Sequence, residues 1–266
     1  MRRPLGLLAA LGAGYAFLYL PILLLIVFSF NESRLVSVWT GFSTRWYGEL
    51  LRNARVLDAA WLSLAVAAVS ATIAVVIGGL SGFVLARYGR FSFRWLFAAL
   101  LAVPLVMPEV VTGLSLLLTF VSIDRVVGLE RGFGTLVVAH ATLSLAFVAV
   151  IVQARMSGLD PAMEEAAYDL GARPAKVFFT VTVPMLAPAL AAGWLLAFTL
   201  SLDDLVVASF VTGPGATTLP MVIFSSVRLG LSPQVNALAA ILVIVVTCLA
   251  VLAAWVNRQR SAFDPS

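Results

Sequence analysis

The chain has 266 residues, 62% of them hydrophobic and 11% charged, with a mean hydropathy of +1.05 and a net charge of +4. A soluble domain carries roughly a quarter charged residues, so this composition excludes an ordinary soluble globular domain and points to a polytopic membrane protein. The basic balance lies mostly in short loops, which reads as membrane topology rather than nucleic-acid binding. The single cysteine, Cys248, excludes an intrachain disulfide and a cysteine metal cluster.

A membrane-spanning helix needs about 20 mostly apolar residues, and the sequence offers six such segments. The alternating pattern of an outer-membrane barrel is absent. The prediction is an all-α polytopic protein with six transmembrane helices, forming one membrane domain over residues 1–266. Segment one runs over about 5–30. Its apolar run is too long for a signal peptide and reads as a retained first helix. Residues 31–57 are polar and aromatic. Their Trp39, Trp46 and Tyr47 suit the membrane interface, where amphipathic rings settle, or a cation contact.

Segment two covers about 58–86 and is followed by Arg87, Arg90 and Arg94. Segment three covers about 95–122 and holds Pro104, Pro108 and Glu109. The prolines predict a kink just before Glu109. Segment four covers about 133–154 and contains the only histidine, His140. It reads as a hydrogen-bonded interhelical residue, with gating or proton movement as the alternative. Segment five covers about 186–210. The loop "TGPGATTLP" follows and is an outer gate, a contact for a binding protein, or a plain turn. Segment six covers about 236–256.

Six spans place both termini on one side. With the N-terminus inside, ten basic residues fall in inner segments and seven in outer ones, a weak preference for cytoplasmic termini.

Three acids stand inside apolar segments: Glu109, Asp203 and Asp204. No lysine or arginine lies near the middle of any span to neutralise them. A charge at mid-bilayer costs about 2.5 to 3.5 kcal/mol on insertion scales. Such groups therefore face a bundle interior or a watery cavity. At 1.5 Å per residue, Glu109 lies roughly 21 Å and Asp203 roughly 22 to 26 Å from the cytoplasmic side, consistent with a ring of carboxylates. Successive helical positions diverge by about 100°, so one aspartate lines the path while the other bonds a neighbour. A substrate carrying ammonium groups fits such a site, because fixed carboxylates replace the hydration it loses.

The loop after segment four, residues 155–184, contains "DPAMEEAAYDLGARPAKVFFTVTVP". Asp160-Pro161 opens a helix. Glu164 and Glu165 suit its first turns. Gly171 ends it and Pro174 opens another. Glu165-Ala166-Ala167, then Gly171, then Val181 to Pro184 resemble the EAA loop of ABC-importer permeases, with Val183 where leucine is usual. The resemblance extends over nearly the whole chain to polyamine importers. It is strongest to the putrescine-type second permease subunit, with the spermidine type also similar.

That resemblance implies a type I ABC importer permease fold in the bacterial inner membrane with cytoplasmic termini. It implies a homologous second permease, two cytoplasmic ATPase subunits and a periplasmic polyamine-binding protein. The loop 155–184 then couples to the ATPase through Glu165, Ala166, Ala167, Gly171 and Pro184. The chain itself lacks a phosphate-binding loop, because its only lysine, Lys176, follows Ala175 rather than glycine. No cofactor, metal, nucleic-acid partner or enzymatic role is expected. The alternatives are a permease for another cationic or neutral solute and a proton-coupled secondary transporter.

Overall fold

The computed structural model describes residues 5–34, 38–128, 130–229, 233–245 and 247. The described residues are helical, with one isolated antiparallel bridge between Asn31 and Phe42. Five helices are long and apolar enough to cross a membrane, and three shorter apolar helices accompany them. The chain divides into two compact units, residues 1–57 with 223–266, and residues 58–222.

In the first unit, α1 (Leu5–Phe28) leads to the bridge, followed by α2 (Arg45–Leu51). No residue in the apolar window of α1 is buried. Trp46 turns inward instead of joining an interfacial belt. It is 5% exposed, and its indole Nε1 donates to the Asn31 carbonyl at 2.6 Å. An indole N–H needs a partner once buried, and the loop carbonyl supplies it. Tyr47 pairs with Ser29 through their hydroxyls at 2.6 Å. An apolar helix, α12 (Pro233–Val245), covers the start of the expected sixth segment. Residue 246 and residues 248–256 of that segment, Cys248 among them, lie outside the described residues.

The second unit is built around α6 (Phe133–Ser157), the most buried of the long helices. Helix α3 (Ala54–Arg87) lies against it where Gly78 and Gly82 face the α6 backbone. A Cβ at Gly82 would stand 2.5 Å from the Ala149 carbonyl oxygen, and one at Gly78 would collide with that of Leu145. Small residues four apart allow this approach, and dispersion between the close backbones then holds the pair. Gly82→Leu is therefore expected to cost about 1–3 kcal/mol through overpacking. Gly89→Ala, with nothing within 4 Å, should be neutral. Thermal unfolding of the purified complex checks both.

Two expected spans are interrupted rather than continuous. Segment three divides into α4 (Arg94–Val106) and α5 (Glu109–Val127). A residue before proline is pushed out of the α region, and Met107 accordingly sits at φ −73°, ψ 138°. Pro104 stays inside α4, so Pro108 makes a full break where a kink was expected. Segment five begins earlier than its hydropathy suggests. Helix α8 (Pro174–Val177) runs through a π-helical turn (Phe178–Thr182) into α9 (Val183–Asp203). It then breaks at Asp204 and Leu205 before α10 (Val206–Val211). The second helix of the polar loop is thus the extension of a span, not a separate piece.

The loop after α10 packs inward. Ala216 and Leu219 are buried, Thr135 Oγ1 donates to the Val211 carbonyl at 2.8 Å, and Gly215 turns the chain at φ +76°. It leads into α11 (Leu219–Leu229), a helix the sequence reading left unassigned.

Candidate functional site

Each interruption places a carboxylate. At the first, Glu109 is the opening residue of α5, where the helix dipole favours an acid. At the second, Asp204 is extended at φ −67°, ψ 120°, and its carboxylate turns onto the following helix. Its Oδ1 accepts from the Val207 N–H at 3.2 Å and its Oδ2 from the Ala208 N–H at 2.7 Å. The N-cap position itself is held by Leu205, which has no acceptor, so Asp204 does the capping from one residue earlier.

The two interruptions share a cavity of about 190 Å³, bounded by Pro104, Leu105 and Met107 of the first and by Leu200, Ser201 and Asp204 of the second. Glu109 and His140 complete its polar lining, with Ser144 beside them. Among the described residues no lysine or arginine lines it. Non-helical backbone within spanning segments is tolerated where it borders a cavity, and both breaks do so. Asp203 is not among the lining residues and is exposed at the end of α9. The structure thus brings Glu109 and Asp204 together and leaves Asp203 apart.

His140 binds the second break from α6. It is 2% exposed; Nδ1 pairs with Ser201 Oγ at 2.5 Å, and Nε2 lies 3.2 Å from Asp204 Oδ2. Ser70 of α3 reaches the same Ser201 hydroxyl at 3.4 Å. The chain Ser70–Ser201–His140–Asp204 links α3, α9, α6 and the cap of α10. Sequence reading found His140 and Asp204 separately. Ser201 carried no signal, since a serine in an apolar run is ordinary.

A second polar constellation lies at the other end of the unit. The loop folds as helix, glycine turn, helix: α7 (Ala162–Asp169), Gly171 at φ +79°, then α8. Asp160 Oδ1 accepts from the Ala162 N–H at 3.0 Å. Glu165, Ala166, Gly171 and Pro184 are exposed, and Ala167 is half-buried. The adjacent Glu164 anchors the loop. It pairs with Arg87 Nε at 2.9 Å and accepts from Thr182 Oγ1 at 2.6 Å. One carboxylate thus ties α7 to the end of α3 and to the π-helical turn. Around it Leu170, Phe179 and Met163 are exposed, an apolar surface beside the motif.

Residues 74–261 match the family "Binding-protein-dependent transport system inner membrane component". The chain is 56% identical over 231 residues to the "Putrescine transport system permease protein PotI" of Escherichia coli (strain K12), covering 86% of this chain and 82% of the relative. It is 44% identical over 247 residues to the "Spermidine/putrescine transport system permease protein PotC" of the same organism, covering 93% and 92%. In fold it resembles a solved bacterial ABC transporter involved in the import of the acidic polysaccharide alginate. That match has a TM-score of 0.70 at 16% identity and covers 96% of this chain and 95% of that one. With its interrupted apolar helices and its exposed helix–turn–helix loop, this chain belongs to the binding-protein-dependent transport system inner membrane components, as a multi-pass ABC importer permease.

Proposed function

We propose that the chain is the permease subunit of an ATP-driven importer for polyamines, with putrescine as the preferred substrate. The observation that carries this is the cavity between the two helix interruptions. Two carboxylates, Glu109 and Asp204, line it, and among the described residues no lysine or arginine does. A diammonium substrate supplies the missing positive charge, and fixed carboxylates replace the water it sheds. The greater identity to the putrescine permease than to the spermidine/putrescine one supports the choice of diamine.

The whole chain, residues 1–266, then serves as one permease domain with a cytoplasmic coupling loop at 155–184 and both termini in the cytoplasm. It pairs with a homologous second permease, is driven by two cytoplasmic ATPase subunits and receives substrate from a periplasmic binding protein. Glu165, Ala166, Ala167, Gly171 and Pro184 form the surface offered to the ATPase. ATP binding closes the ATPases, the coupling loops move with them, and the path opens outward to the loaded binding protein. The anchoring of α7 through Glu164 to both Arg87 and Thr182 supports transmission of that movement into α3 and α9.

The test is uptake of labelled putrescine by proteoliposomes holding the complete complex with ATP inside. Saturable uptake that requires both ATP and the binding protein is expected. Spermidine should compete weakly, and a neutral diol of the same length should not compete at all. Full competition by the diol would remove the cation from the reading.

A further inference from the structure

The polyamine reading leaves His140 without a role in transport, although it lines the same cavity as Glu109 and Asp204. Its Nδ1 is engaged by Ser201 Oγ at 2.5 Å, but its buried Nε2 makes no hydrogen bond. Asp204 Oδ2 stands 3.2 Å from Nε2 without forming a hydrogen bond with it. A nitrogen and a carboxylate oxygen so placed are two acceptors without a donor whenever Nδ1 carries the imidazole proton. An alkylammonium has three N–H donors and no acceptor, so one such group satisfies both atoms. The capping bonds from Val207 and Ala208 take one acceptor position on each Asp204 oxygen, and a carboxylate offers about four in all.

We propose that neutral His140 and Asp204 jointly receive one ammonium of the substrate, and that a proton on His140 competes with the substrate for that place. The proposal rests on the cationic-substrate reading above and deepens it. It makes His140 a specificity-determining residue rather than a structural one.

The groups facing the imidazole are few among the described residues. Helix α4 contributes Pro104 and Leu105, α5 contributes Glu109, and α9 contributes Leu200 and Ser201. Ser70 of α3 approaches through Ser201, and α10 presents only backbone N–H groups to Asp204. Among the described residues, Glu109 and Asp204 are thus the ionisable groups that share the cavity with His140. A proton on His140 cancels one of the two negative charges that hold a diammonium, and it removes the Nε2 lone pair. Both effects act in the same direction, against substrate at low pH.

The experiment measures KM for labelled putrescine with the complete complex in proteoliposomes, from about pH 8 to about pH 5.5 outside. Native complex and His140→Gln are compared with the same binding protein, so that protein's own pH dependence cancels in the ratio. KM of the native complex should rise toward the acid end relative to the variant, one proton displacing one substrate. At the alkaline end the variant should start with the higher KM, having lost the imidazole acceptor. Ser201→Ala keeps the imidazole but releases Nδ1, and it should displace the midpoint of the profile. It also serves if the glutamine variant fails to assemble.

A His140→Gln profile parallel to the native one, or an unmoved Ser201→Ala profile, overturns the proposal. Glu109→Gln measured alongside separates the two readings. If it loses uptake while the pH profiles stay parallel, the cation reading stands and only the role of His140 falls. If it transports like the native complex, the cation reading falls with it.

Discussion

Putrescine uptake falls about ten- to hundredfold in Glu109→Gln and in Asp204→Asn, as expected when a hydrogen bond to a charged group worth about 1.5–3 kcal/mol is lost. Both substitutions keep size and hydrogen-bonding capacity while removing one charge from the cavity lining. Asp204 needs a further control because it does two jobs. Its carboxylate caps α10 through the Val207 and Ala208 N–H groups. Asparagine still accepts a backbone N–H and so keeps much of the cap. Asp204→Ala removes it, at about 0.5–2 kcal/mol. The expected order is therefore loss of uptake with normal assembly in the asparagine variant, and loss of both uptake and thermal stability in the alanine variant. Asp203→Asn, outside the cavity, should change uptake by less than about twofold. Equal loss in Asp203→Asn and Asp204→Asn would show that the cavity does not distinguish the two aspartates.

Gly171→Val should uncouple the permease from its ATPase. Gly171 turns the chain at φ +79° between α7 and α8, a region that costs an L-residue about 1–2 kcal/mol and a β-branched one more. Relief of that strain would swing α7, with the exposed Glu165 and Ala166, away from its place. The anchor of Glu164 on Arg87 and Thr182 resists the swing, so the loop is caught between two incompatible demands. Uptake is expected to fall at least about tenfold, the equivalent of 1.4 kcal/mol, with co-purification of the ATPase falling in step. Gly171→Asn should retain most of both, because asparagine tolerates the left-handed region. Equal behaviour of the valine and asparagine variants would place the requirement in the side chain rather than the turn.

Local signals were read well where one residue decides one event. Asp160-Pro161, Gly171 and Pro174 mark the helix–turn–helix of the polar loop, and the structure places a helix, a positive-φ glycine and a second helix there. Pro108 was legible as a disturbance of segment three, but not its degree. Whether a proline kinks or breaks a helix depends on what lies beside the freed backbone, here a cavity. Helix α11 was missed because an 11-residue segment is too short to register as a span. Glu164 stood in view beside the motif, yet its partner Arg87 lies at the far end of another helix.

By itself the sequence determined the membrane class, the approximate spans, the helix–turn–helix of the polar loop and the presence of acids in apolar surroundings. These follow from hydropathy, from backbone restrictions at proline and glycine, and from the cost of burying charge. Only the tertiary structure decided which acids meet. Asp203 and Asp204 are neighbours in the chain and differ by about 100° around a helix. The break after Asp203 turns one onto the next helix and leaves the other exposed. Glu109 and His140 join Asp204 because the α4–α5 and α9–α10 interruptions pack beside α6. Periodicity along one helix carries no information about the register of its neighbours. That register is set by side-chain fit and by close backbone approaches such as those at Gly78 and Gly82.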